Sequence, residues 1–294
     1  MSTHPKAIPA LRLEGLSDSA LRCPICDKQE WQFAQRVRFS PLLRCARCGL
    51  LGTRDFVSGT RIPDHLYEVG PESHVVYRKH YLPKRMAVYE RVLPQLERFR
   101  RTSRLLEVGS SYGYFLERAS GSNWQAEGVE LAAYPCQVAC SKGAEVVRGK
   151  LQDVPLERGS YDVIVMWDVI EHLTDIGEVL DSVFALLRSG GALVARTPDA
   201  RALQGSMGMF GAAYRHLAYP ANAAEHVYHF TPEGLALLME KKGFRHTEVD
   251  THSEWGERII GGRNVIIRLV RLLIFGYAYF RRWPYEFIIT ASKP

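Results

Sequence analysis

Long apolar runs are missing from the 294-residue chain. The longest, Leu272–Phe280, is closed by Arg271 and Arg281 and falls well short of the ~18 residues of a membrane span. The opening residues "MSTHPKAIPALRLEGLSD" also lack the apolar core of a secretory signal. Both absences lead us to expect a cytoplasmic protein. Charge of one sign is scarce too: 38 Lys and Arg against 32 Asp and Glu leave +6, which suits anionic ligands and singles none out. There is no internal repeat and no low-complexity tract, and 46% hydrophobic residues exclude a disordered or fibrous chain. Also missing is the G-x-G-x-x-G spacing of dinucleotide-binding dehydrogenases, since only Gly109 and Gly113 mark the glycine turn in question.

Cysteines are few, and four of the six are grouped. "CPIC" and "CARC" place Cys23 and Cys26 in one C-x2-C pair, and Cys45 and Cys48 in another 18 residues on. Two such knuckles supply four thiolates to a tetrahedral ion, so the spacing predicts a structural zinc site. Cys136 and Cys140 lie four apart in a helical pattern and read as small buried residues.

The chain divides into a tail at 1–20, a zinc ribbon at 21–56, a linker at 57–76 and one large domain at 77–294. "WQFAQRVRF" and "LLRC" supply the ribbon's strands, and "VSGTRIPDHLYEVGPESHVV" has the turn-forming composition of a linker. After a charged helical stretch from Tyr77 to Arg101, short apolar runs alternate with amphipathic segments, as in β-α-β units on a parallel sheet. Strands are expected at Arg104–Val108, Gln125–Glu130, Glu145–Arg148, Tyr161–Trp167, Gly191–Thr197, Arg245–His252 and Tyr285–Ala291. Helices are expected at Tyr114–Ala119, Ala133–Lys142, Gly177–Leu187 and Pro232–Lys242.

"RLLEVGSSYGYFLERA" is a strand, a glycine turn and an amphipathic helix, and Glu130 closes the next strand about 20 residues later, where an acid holds ribose hydroxyls. On these residues the chain resembles class I S-adenosylmethionine-dependent methyltransferases. "LLEVGSSYGYFL" is similar to the family's first motif, "YDVIVMWDVIEHLTD" to its fourth strand and exit, and "LLRSGGALVARTPD" to the fifth strand and its approach. Ser111 stands where many branches carry a third glycine. The resemblance implies an α/β, Rossmann-like, doubly wound seven-stranded sheet whose last strand is antiparallel. It assigns the cofactor to Glu107, Gly109, Ser110, Ser111, Tyr112, Gly113, Glu130, Leu131, Leu151, Gln152, Trp167 and Asp168, with Leu151 and Gln152 beside adenine. With its amino-terminal ribbon the chain is similar to bacterial methyltransferases of sugars and other secondary metabolites. The sugar C-methyltransferases among them carry a further carboxy-terminal domain that this chain is too short to hold. Some ribosomal-RNA methyltransferases also begin with a zinc module, but the ribbon has no basic stripe with interleaved aromatics, which disfavours nucleic acid.

"MWDVIEHLTD" places Asp168, Glu171 and His172 at the end of an apolar strand, and their i, i+3 and i+4 spacing puts them on one helical face that emerges at the carboxyl end of the fourth strand. Three roles compete: carboxylates at a helix start, a base that takes a hydroxyl proton, and ligands to a divalent ion. "AEHVYHFTPEGL" adds His226 and His229. In the resembling sugar C-methyltransferases a Glu-His pair here, Glu225 and His226 in this chain, implies acid–base chemistry. In small-RNA 2′-O-methyltransferases and ubiquinone-pathway O-methyltransferases an E-x-x-E-H set binds a divalent metal, which implies Asp168, Glu171, His172 and His226. We expect a proton rather than an ion to be the business of these residues.

Residues 199–224 read as a lid, with Phe210, Tyr214 and Tyr219 as either acceptor walls or plain packing, and Arg196, Arg201 and Arg215 as solvated side chains in preference to contacts with a phosphate. A basic aromatic helix with Arg263, Arg268, Arg271, Arg281 and Arg282 reads as a buried or dimer-forming face in preference to a membrane-surface one. The expected activity is methyl transfer to a hydroxyl of a small acceptor, sugar- or phosphate-bearing, with carbon methylation and a non-catalytic binding protein as the rivals.

Overall fold

Five parallel strands, Arg104–Val108, Gln125–Glu130, Glu145–Arg148, Tyr161–Trp167 and Leu187–Pro198, end at one edge of the larger sheet. The computed structural model describes residues 22–37, 40–58, 69–203, 225–251, 273 and 286–294. The tail, linker residues 59–68, lid candidates Phe210, Tyr214, Arg215 and Tyr219, and the basic segment with Arg263, Arg268, Arg271, Arg281 and Arg282 lie outside them.

The ribbon contributes β1 (Trp31–Val37), β2 (Ser40–Cys45), β3 (Leu51–Thr53) and the one-turn α1 (Arg54–Val57). Two helices follow, α2 (Pro71–His80) and α3 (Leu82–Leu96). The sequence suggested one helical stretch from Tyr77. Instead α2 begins at Pro71, inside the segment read as a linker, and the chain restarts at α3 because Pro83 has no N–H for a continuous helix.

The large sheet comprises β4 (Arg104–Val108), β5 (Gln125–Glu130), β6 (Glu145–Arg148), β7 (Tyr161–Trp167), β8 (Leu187–Pro198), β10 (Arg245–Asp250) and β11 (Glu286–Ser292). Between them run α4 (Tyr114–Gly121), α5 (Ala133–Ser141), α6 (Ile176–Leu186) and α7 (Pro232–Lys241). The spatial order is β10-β11-β8-β7-β4-β5-β6, with β4 paired in parallel to both β5 and β7, and β11 antiparallel to both β8 and β10. This is the Rossmann-like seven-stranded sheet expected, antiparallel last strand included. The order reverses between β4 and β7, and in such sheets a ligand enters the crevice at that switch point.

Strand β7 is buried at every position, which its unbroken "YDVIVMW" requires. Its one charge, Asp162, is fully buried yet satisfied: one carboxylate oxygen accepts N–H bonds from Arg101, Thr102 and Ser103 at 2.7–2.8 Å, and the other meets Arg188. On one face α3 packs Val88, Tyr89, Val92, Leu93 and Leu96 against Phe115, Leu116 and Trp167. On the other, α6 and α7 share one apolar cluster with Trp31, Leu43 and Phe56 of the ribbon.

That shared cluster changes the status of the ribbon. Its sheet is four-stranded, β1-β2-β3-β9, and β9 (Tyr228–His229) comes from the segment just before α7. Leu51 and Gly52 pair antiparallel with His229 and Tyr228. Lys241 of α7 also reaches Asp27 at 2.5 Å and the Pro24 carbonyl at 3.2 Å.

Candidate active site

After β4 the chain must turn sharply, and Gly109 and Gly113 both take φ +74°, a left-handed conformation that glycine tolerates. A Cβ on Gly109 would stand 2.5 Å from Val169, and one on Gly113 would stand 2.8 Å from the Ala139 Cβ, so side chains are excluded as well. Ser111, at the place of a third glycine, is also left-handed, at φ 49°. Its N–H donates to Glu130 Oε2 at 2.7 Å, and Ala132 N–H donates to Oε1 at 2.7 Å. Glu130 therefore anchors the turn while keeping lone pairs for a ligand. Burial raises its pKa, an effect the backbone N–H groups oppose.

Glu107, at the end of β4, is 2% exposed and its Oε2 has no hydrogen-bond partner among the described residues. Burial holds its carboxyl well above the usual range. An orphaned buried acid beside a glycine turn is an open place for a cationic ligand group. Ser110 is buried with its hydroxyl unpartnered among the described residues, and Tyr112 is covered by His74, whose ring stacks on it at 4.2 Å and 20°. Tyr77 adds a second ring 5.0 Å from Tyr112. Helix α2 thus closes over the turn, which the linker reading missed; the run of His and Tyr between Gly70 and Tyr81 was the signal available.

Leu131 and Leu151 border Glu130 and the short turn after β6, where Leu151 is buried and Gln152 donates to Asp175 at 2.6 Å. Trp167 turns its indole into the core, against Tyr89 at 5.4 Å and Phe115 at 5.2 Å, so its side chain sits away from the edge.

The exit of β7 corrects the spacing argument. Asp168 takes φ 54° and only Ile170–His172 form a short 3-10 turn, so the three polar residues do not share a helix face. Asp168 is drawn to Arg85 at 2.8 Å and Arg196 at 3.1 Å, and Arg196 also pairs with Glu286. Arg196 is therefore committed to these acids and is not an open phosphate contact. Arg201 likewise pairs with Asp199 at 2.6 Å.

The residues that do converge are Glu171, His172 and His226, each with a ligand atom within 4.8 Å of the others. The His172 and His226 rings meet edge to face at 4.8 Å, and His172 Nδ1 lies 3.2 Å from the Glu225 carbonyl oxygen. Glu225 thus takes part here through its backbone. Among the described residues neither carboxyl oxygen of Glu171, 1% exposed, has a partner at full hydrogen-bond geometry, though the Thr197 hydroxyl and the Glu171 backbone N–H favour its charged form. Burial, reinforced by the Asp168 charge, pushes this carboxyl up to about 8. Burial also lowers His172, and it lowers His226 well below the usual range with help from the neighbouring imidazoles. Near neutral pH the cluster holds two uncharged imidazoles beside a protonated acid.

In the ribbon, the four cysteine Sγ atoms also gather within 4.8 Å, with Cys23–Cys48 at 3.4 Å and Cys26–Cys45 at 3.5 Å. Four thiolates about 2.3 Å from one tetrahedral ion lie roughly 3.8 Å apart, so the donor set fits such an ion. Among the described residues no helix is long and apolar enough to cross a membrane.

The profile of a family described as "Methyltransferase domain" matches residues 78–249. The chain belongs to that family. As a class I methyltransferase it is similar to the ubiquinone biosynthesis O-methyltransferase of Nitrobacter winogradskyi, 28% identical over 165 residues, which are 53% of this chain and 62% of that protein. The chain thus spans about three fifths of this curated relative. Among solved structures, a SAM-dependent methyltransferase from Thermotoga maritima superposes with a TM-score of 0.54 at 20% identity, covering 78% of this chain and 99% of that one. Geranyl diphosphate C-methyltransferase from Streptomyces coelicolor, solved with Mg2+, geranyl diphosphate and S-adenosyl-L-homocysteine, gives 0.54 at 15% identity over 71% and 79%. At these identities the two structures speak for the fold.

Proposed function

We propose that this methyltransferase moves a methyl group from S-adenosylmethionine to a hydroxyl of a small-molecule acceptor. The observation that carries the reading is the buried contact of two imidazoles, His172 at the exit of β7 and His226 just before β9, on the other side of β4 from Glu130; burial disfavours the charge on both. Glu130 would accept hydrogen bonds from the ribose, and Glu107 would face the cationic part of the cofactor. Rate comes mainly from holding the acceptor oxygen in line with the methyl–sulfur bond, about 3 Å from the methyl carbon. As the new O–C bond forms, the S–C bond breaks, its electron pair stays on sulfur, and the hydroxyl proton passes to His226 or His172. The name of the Nitrobacter relative supports oxygen as the methylated atom. The four ribbon cysteines would hold a structural zinc.

A second reading is favoured by Glu171. Among the described residues neither oxygen of this buried carboxyl is well partnered, which costs roughly 1–3 kcal/mol, and a divalent cation held by Glu171, His172 and His226 would relieve it. Such an ion would lower the pKa of an acceptor hydroxyl. Asp168, tied to two arginines, is not in this set. Turnover in chelator separates the two. If the histidines take the proton, His226→Ala or His172→Ala lowers turnover about 10²–10⁴-fold, and EDTA leaves the wild type active. Loss of activity in EDTA with recovery in Mg²⁺ or Mn²⁺ would decide for the ion, and full activity of both histidine variants would remove both readings.

A further inference from the structure

We propose that Thr53, the last residue of the ribbon's β3, is a positioning residue for the acceptor-side histidines, which makes the cysteine ribbon a wall of that site. The inference rests on the reading of His226 given above. Thr53 is 1% exposed, and its Oγ1 lies 3.0 Å from His229 Nε2. Its backbone N–H donates to the Val227 carbonyl at 3.0 Å. The His229 ring in turn lies 5.8 Å from the His226 ring, which meets His172 at 4.8 Å.

The histidine segment is thus gripped from two sides. The ribbon holds it through the β3–β9 pairing and Thr53, and the exit of β7 holds it through Val227 N–H to the Glu171 carbonyl at 2.8 Å. Gly52 makes the approach close: a Cβ there would stand 2.5 Å from Val57 and 3.5 Å from the Val227 oxygen.

The hydroxyl itself has a task that packing does not explain. The Thr53 hydroxyl can donate to Nε2 or accept from it, and either way the bond holds the ring orientation that His229 presents to His226. Valine would fill the same space without that bond.

The test compares Thr53→Val with Thr53→Ser in the full chain. Thr53→Val should lower kcat about 10–100-fold, shift its pH profile and leave the Kd for S-adenosylmethionine within about twofold, while Thr53→Ser restores kcat. Imidazole nitrogen NMR gives a readout independent of turnover. The His229 and His226 resonances should move in Thr53→Val and return in Thr53→Ser. Unmoved His226 resonances in Thr53→Val overturn the proposal, as does equal loss of kcat in both variants, which would mean packing alone. An active His226→Ala would refute the underlying reading instead, and the NMR result would still decide the coupling.

Discussion

Replacing Glu171 with Gln tests the electrostatics of the site without reference to any acceptor. The wild-type carboxyl has a folded-state value of about 8 against an ordinary 4.5. Between these values the folded chain keeps a proton that the unfolded chain has released, so stability falls as pH rises through the interval and levels off above it. At about 1.4 kcal/mol per pH unit, the whole interval has an upper size on the order of 5 kcal/mol. Glutamine resembles the protonated acid and cannot ionise. Urea denaturation of both proteins in EDTA, from pH 5 to pH 9, should start from some offset between them at pH 5. The variant should then gain on the wild type as pH climbs toward 8. The slope carries the test, because the offset includes whatever the buried amide costs. Parallel curves would refute the assignment of a protonated Glu171. Adding Mn²⁺ separates the two readings, since a cation bound at Glu171, His172 and His226 favours the carboxylate and flattens the wild-type slope.

Glu130→Ala should weaken S-adenosylmethionine binding about 10–150-fold, the loss of a charge-assisted hydrogen bond of roughly 1.5–3 kcal/mol; unchanged affinity by calorimetry would move the cofactor elsewhere. Elemental analysis should find about one zinc per chain, and a zinc-free protein whose Cys23→Ser and Cys45→Ser variants keep full stability would end that assignment. Asp162→Asn leaves Arg188 and three backbone N–H groups facing a neutral amide, and should cost about 3–5 kcal/mol by denaturant titration. Asp168→Ala should leave any Mn²⁺ affinity unchanged, because its partners are Arg85 and Arg196; loss of that affinity would restore it to the ligand set.

What could be read from the sequence was local. The glycine turn, Glu130 at the end of β5, the uninterrupted β7 and the paired cysteines each declare themselves within about 25 residues, because turn chemistry and strand periodicity are short-range. Asp168 misled for a physical reason: i, i+3, i+4 spacing fixes a common face only if the backbone is helical, and here it turns left-handed at Asp168. Its capture by Arg85 and Arg196 joins α3 to β8, and no local pattern records that. The β3–β9 pairing is more distant still, with Thr53 meeting His229 across 176 residues of sequence. Two paired residues are also too short a strand to leave an alternating pattern.

Charge balance joins these parts. Transfer to a hydroxyl converts a sulfonium into a neutral thioether and releases one proton, so a site that binds the cofactor's positive charge keeps its balance if that proton first lands nearby. Asp168 and Glu286 are already matched by Arg85 and Arg196. On the proposed reading, Glu171 is the acid of this histidine cluster that would answer a newly protonated His172 or His226. With its pKa near 8, ionising it at pH 7 costs only about 1.4 kcal/mol, and the resulting carboxylate would face the imidazolium. The acceptor's proton would then be held on a histidine while the proton of Glu171 leaves. His229, pushed down to about 3, cannot take part in this exchange. An imidazole that stays neutral throughout makes a fixed prop for its neighbour, and it is the one that the ribbon holds.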